Sequence, residues 1–140
     1  MTPREGSQYR CSVAGIVVVT TVGTEEQANL LAREIVGRRQ AACVNILPGV
    51  RSVYRWQGKI CQDGELMLVI KTLDSEFEGV AATIRELHSY DLPEILAFQV
   101  ARGERNFLEW IAASVDKEAD FSDEEEDALS YAGDPDDADF

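Results

Sequence analysis

The chain has 140 residues, 45% of them hydrophobic and 28% charged, which bounds it to one domain with a sizeable core. No run approaches the roughly 18 apolar residues of a membrane-spanning helix, and the polar opening lacks a signal peptide's apolar stretch, so a cytoplasmic protein with no membrane partner is expected. The net charge of −13 is lopsided: residues 116–140 hold twelve acids and one lysine, while residues 1–115 hold fourteen acids and twelve basic residues, leaving no basic face for nucleic acid.

Residues 1–12 read as a flexible N-terminus. A domain is expected over residues 13–115. Residues 14–22, "AGIVVVTTV", are a short β-branched run of the kind usually buried on both faces. Thr24 can cap a following helix, with Gln27 completing a capping box. Ala28, Leu31, Ala32, Ile35 and Val36 then share one helical face. Gly37 loosens the end, and Arg38 and Arg39 suit its negative dipole. Residues 41–56 are extended, with Pro48-Gly49 forcing a bulge because proline donates no ladder hydrogen bond. Residues 57–59 make a tight turn into a strand over 65–72. Ser75 and Glu78 repeat the capping device, and Phe77, Val80, Ala81, Ile84 and Leu87 form a second helical stripe. Residues 94–101 are a fourth strand. Phe107, Trp110, Ile111 and Ser114 mark a short helix ending near Val115. The acidic run from 116 to 140 repels itself and reads as a disordered tail.

The order β-α-β-β-α-β plus a helix predicts an α+β, ferredoxin-like sandwich with an extra C-terminal helix. The hairpin is oversized for it. Arms of about fifteen residues at roughly 3.3 Å each overhang a four-stranded sheet, and exposed strand edges are normally paired. A homo-oligomer with hairpins paired between subunits is therefore expected. The competing expectation is a strand broken at Pro48 and folded back within a monomer.

Four motifs, "ACVNILPGVRSVYRWQGKI" (42–60), "LVIKT" (68–72), "YDLPEI" (90–95) and "FLEWI" (107–111), occur in an order that resembles the CutA divalent-cation tolerance family. The likeness runs from about Gly15 to Val115. It implies a ferredoxin-like trimer with intersubunit strand pairing, similar in build to PII signalling proteins. It also implies a role in tolerance of copper and other divalent ions, with no required cofactor. His88-Ser89-Tyr90 departs from the His-Pro-Tyr often found in the family, and the serine loosens the backbone after the histidine.

For a metal, the candidate ligands are Cys43, His88 and Glu94. Thiolate suits copper(I), while imidazole suits copper(II) or zinc. Each also has a structural reading. Cys43 among alanines and a valine is a small buried hydrophobe. His88 in the last turn of a helix answers free carbonyls and the dipole. Asp63 and Glu65 read first as a solvated strand end. Asn45 can satisfy backbone groups near the bulge. The remaining cysteines, Cys11 and Cys61, lie at wide spacings that fit reduced thiols better than a disulfide framework. A cleft between subunits is expected from Tyr54, Trp56, Lys71, Tyr90, Glu94 and Trp110, which combine buried area with a polar handle. Lys71 is expected to meet an anion or pair with Glu94.

Two functions fit: a trimeric metal-tolerance protein binding copper or another divalent ion, and a PII-like signalling or scaffold trimer taking a small anionic ligand or a partner protein in the cleft. An enzyme is not expected. The loop after the first strand, "TTVGTEEQ", lacks the arginine an acylphosphatase needs, and the lone histidine has no nucleophile–acid set. The first strand also lacks the stacking aromatics of an RNA-binding sheet.

Overall fold

A computed structural model describes residues 14–118; the expectations placed on residues 1–12, on Cys11 and on the tail beyond residue 118 lie outside the described residues. Strand β1 spans Gly15–Val22. Ile16, Val18 and Val22 on one face are buried, while Val17 and Val19 on the other are only half-buried. The run expected to be covered twice thus has one open face in a single chain, since both long helices pack on the opposite side.

Helix α1, Glu25–Gly37, starts at Thr24, whose Oγ1 accepts from the Gln27 N–H at 3.1 Å. The capping box is only half formed. The Gln27 side-chain amide turns away and donates to the Leu87 carbonyl at 2.9 Å, tying α1 to the far end of the next helix. Ala28, Leu31 and Ile35 are buried, whereas Val36 is exposed. Both arginines at its end have side-chain partners of their own. Gln40 N–H reaches the Ile35 carbonyl and Arg39 N–H the Val36 carbonyl, each at 3.0 Å. This is the pairing that closes a helix through one left-handed residue. That residue is Arg39, at φ 58, two positions after the glycine. Arg38 instead bridges helices, donating to Glu34 at 2.9 Å and to Glu86 and Thr83 at 3.1 Å.

Strands β2, Cys43–Trp56, and β3, Lys59–Leu73, form the long hairpin. Its register shifts between Leu47 and Val50, where Pro48 leaves the ladder and Gly49 takes φ 78. The strand therefore bulges as expected and does not fold back. Gln57 and Gly58 close the tip with φ 51 and φ 80, the doubly left-handed turn that matches the twist of a hairpin.

A single 3₁₀ turn, Asp74–Glu76, leads into α2, Phe77–Leu87. Ser75 does not cap this helix. The Phe77 N–H is satisfied by the Asp74 carbonyl within the 3₁₀ turn, which removes the need for a side-chain acceptor. Val80, Ala81 and Ile84 are buried, with Phe77 and Leu87 packed at the rim. Strand β4 is shorter than expected, Leu96–Gln99. Helix α3, Arg105–Ser114, is capped by the Glu104 carboxylate, which accepts from Phe107 N–H at 2.7 Å. Ile111 and Val115 form its buried side, and Phe107 and Trp110 point outward.

The sheet order is β2-β3-β1-β4, with every neighbouring pair antiparallel. This is the expected ferredoxin-like α+β sandwich. Its core lies between the sheet and the two long helices, built from Val18, Leu31, Ile35, Leu68, Ile70 and Ile84. The start of the acidic segment stays on the body: Lys117 Nζ meets Glu76 at 3.0 Å and the Arg39 carbonyl at 2.7 Å.

Candidate functional site: an acidic aromatic groove

The groove opens where the hairpin leaves the sheet. β1 stops pairing at Val22 opposite Leu66, but β3 continues outward from Glu65 to Lys59, paired with β2 alone. Those seven residues overhang by about 23 Å at roughly 3.3 Å each. Strand alternation puts Ser52, Tyr54 and Trp56 on one side of the ribbon and Arg51 and Arg55 on the other. The cross-strand partners Cys61 of Tyr54 and Asp63 of Ser52 join the first side. The facing wall is the segment after α2, with Tyr90, Asp91, Leu92 and Glu94. Together they enclose about 670 Å³.

His88 sets this wall in place. Its Nε2 lies 2.7 Å from the Thr21 carbonyl, and the Tyr90 N–H reaches Nδ1 at 3.0 Å. Nδ1 must therefore accept and Nε2–H must donate. The neutral imidazole pins the helix exit to the end of β1 and turns Tyr90 back toward the hairpin. Its ring centroid lies 4.6 Å from that of Tyr90. Pro93 and the extended backbone around it keep the segment out of helix.

The electrostatics are one-sided. Asp63, Glu65, Asp91 and Glu94 line the groove with no basic residue among its walls. The Tyr90 hydroxyl donates to Glu65 at 2.8 Å, and the Tyr54 hydroxyl donates to Asp63. Both phenols are pushed up to about 12, Tyr54 mainly by its hydrogen bond to Asp63 and Tyr90 mainly by burial and then by Glu65. Glu94 is raised above the ordinary glutamate value, first by desolvation and then by the charge of Glu65.

The residues singled out from sequence fall into two groups. Tyr54, Trp56, Tyr90 and Glu94 line the groove. Lys71 and Trp110 do not. Lys71 Nζ sits 5.9 Å from the Phe107 ring centroid, and that ring lies 5.4 Å from Trp110. Lys71 therefore does not pair with Glu94 within a chain. It pairs across the strands with Cys43 and with Val17, four residues along β1 from the Thr21 that His88 holds. That is about 13 Å at roughly 3.3 Å per residue. Cys43, His88 and Glu94 are not brought together in a single chain. The Cys43 thiol is pushed up by burial, partly offset by Lys71. Among the described residues no three histidine, cysteine or carboxylate side chains converge as a metal cluster.

Asp63 and Glu65, first read as a solvated strand end, prove to be walls of the groove. A signal for them was available. Counting back from the two-residue turn places Tyr54 diagonally across from Asp63, within reach of a long side chain. The part played by Thr21 had no such signal, because it depends on how the helix exit docks.

Comparison with known proteins agrees with the geometry. The family model described as CutA1 divalent ion tolerance protein matches residues 16–114. The divalent-cation tolerance protein CutA of Thermus thermophilus is 45% identical over 95 residues, covering 68% of this chain and 92% of that one. A chloroplastic CutA protein of Arabidopsis thaliana is 43% identical over 74% of this chain, which spans 57% of that longer relative. Among solved structures, CutA1 from Oryza sativa superposes with a TM-score of 0.72 at 39% identity, covering 74% of this chain and 95% of that one. The Thermus thermophilus structure gives 0.68 at 44% identity, covering 69% and 94%. The match runs from within β1 to the end of α3, the overhanging hairpin included, and the chain belongs to the CutA1 divalent ion tolerance protein family.

Proposed function

We propose that the protein serves divalent-cation tolerance as a homotrimer whose groove attracts a divalent ion and holds it weakly through carboxylate oxygens. One observation carries this reading: Glu65 and Glu94 line opposite sides of the groove, and the charge of Glu65, added to desolvation, opposes ionisation of Glu94. A cation between them relieves that repulsion, as opposite charge does for any crowded carboxylate. Asp63 and Glu65 each spend one oxygen on a tyrosine hydroxyl and keep further lone pairs for a ligand. Oxygen donors suit hard divalent ions that retain part of their water shell.

Copper through Cys43 and His88 has less support. Burial pushes the Cys43 thiol up, which disfavours the thiolate that binds soft metals. Both ring nitrogens of His88 are taken by backbone groups. That same engagement leaves His88 no free ring nitrogen to act as a base. The rival anionic ligand meets four carboxylates and no base in the groove, an arrangement that repels it.

Calorimetric titration of the full chain with Mn²⁺ tests this. Glu94→Gln and Glu65→Gln are each expected to weaken binding about tenfold or more, since a unit charge about 4 Å away is worth about 4 kcal/mol at an effective dielectric of about 20 and tenfold needs only about 1.4 kcal/mol. Cys43→Ala is expected to leave Mn²⁺ affinity unchanged. The reverse pattern places the ion at the thiol and ends the proposal.

A further inference from the structure

His88 is the only histidine of the chain, and its two hydrogen bonds respond differently to a proton. Nε2–H donates to the Thr21 carbonyl at 2.7 Å, and Nδ1 accepts from the Tyr90 N–H at 3.0 Å. Both bonds coexist only while the ring is neutral, because an imidazolium is a donor at each nitrogen. A proton added at Nδ1 sets one N–H against another across 3.0 Å, so the Tyr90 bond must break. The bond to Thr21 survives and becomes charge-assisted. Two features favour charge at this place. His88 is the C-terminal cap of α2, where the helix dipole attracts a cation. Its ring lies 4.6 Å from that of Tyr90, within reach of a cation–π attraction. The surrounding elements bring mixed charge. Arg85 and Glu86 precede it on α2, and Glu25 and Glu26 open α1. Asp91 and Glu94 follow it, and Glu65 lies on β3 behind the Tyr90 hydroxyl. Strand β1 brings no charged residue. Histidine is the side chain that ordinarily changes charge between about pH 5 and 8.

We propose that His88 is a proton-operated latch: neutral, it ties the backbone at Tyr90 to the exit of α2; charged, it keeps its hold on β1 and releases that backbone. The segment set loose is 89–92, which carries Asp91 and Leu92. The latch does not depend on what the groove holds, and it is tested without metal. NMR of the metal-free full chain, taken from about pH 8 to about pH 5, reads both ends of it. The single histidine gives one unambiguous ring signal, whose nitrogens at the alkaline end are expected to report the Nε2–H tautomer. On acidification the Tyr90 amide proton is expected to move upfield as its bond is lost, with the same midpoint as protonation of the ring. In His88→Asn the side-chain oxygen can accept from the Tyr90 N–H but does not titrate, and the movement is expected to vanish. Should that variant fold poorly, coincidence of the two wild-type midpoints is the deciding measurement. The latch is overturned by the Nδ1–H tautomer at the alkaline end, or by a ring that stays neutral across the range. It is equally overturned by a Tyr90 amide that stays put while the ring protonates, moves with a different midpoint, or moves alike in the variant. In the last two cases Glu65, Asp91 or Glu94 carries the response.

Discussion

Glu94 carries the chemical consequence of crowding in the groove. Its pKa in the fold lies above the ordinary 4.5 because of burial and Glu65. Below 4.5 the folded and unfolded chains both keep the proton. As pH rises past 4.5 the unfolded chain releases it first, so the folded state then binds more protons and loses stability until Glu94 itself ionises. Glu94→Gln is expected to flatten this fall in a series of urea denaturations across that window. Mn²⁺ affinity should climb over the same range in the wild type, because the ion competes with the proton. His88 acts one step removed. Its ring nitrogens meet the Thr21 carbonyl and the Tyr90 N–H, and its ring lies against Tyr90, so it positions a wall of the groove.

At the scale of elements, the hairpin is the part that makes a site out of a common sandwich. Its register is set by the two-residue turn and by the bulge between Leu47 and Val50. The turn is not ideally filled. Gln57 adopts φ 51, a region that costs an ordinary L-residue roughly 1–2 kcal/mol and that asparagine tolerates better. Gln57→Asn is therefore expected to stabilise the protein by up to about 1 kcal/mol, read as a rise in thermal midpoint. The groove should remain unaltered, because the Tyr54 and Asp63 partnership lies further down the ribbon. Arg39 holds the equivalent position at the end of α1 with φ 58. There its guanidinium reaches the Asp116 carbonyl at 3.2 Å, an interaction glycine would forfeit.

Taken whole, a single copy leaves one side of its sheet uncovered. Val17, Val19, Met67 and Val69 are only half-buried there. Leu96 and Phe98 of the edge strand β4 share that side and are 53% and 55% exposed. A face of this size, beside an overhanging hairpin, is the surface on which the proposed trimer is expected to assemble. Phe98→Glu places a charge on it and is expected to shift the protein toward monomer in light scattering after size exclusion. A variant that keeps the mass of the wild type would separate this face from assembly.

Much of the frame was legible because periodicity reports burial. The βαββαβ order, the stripes on α1 and α2, the bulge at Pro48-Gly49 and the long hairpin all follow from which neighbours are apolar and which cannot donate a hydrogen bond. Family resemblance groups Tyr54, Trp56, Tyr90 and Glu94, and within one chain they line the two facing sides of a single groove. Within one chain Lys71 and Trp110 lie apart from it, around Phe107, since motif membership says nothing about which end of a strand a side chain occupies. Closure of α1 through Arg39, entry to α2 without Ser75, and the docking of His88 on Thr21 rest on contacts between residues far apart in the chain. Local chemistry proposes partners for such groups, but the packed backbone selects among them, because each buried donor or acceptor takes the partner that folding brings within reach.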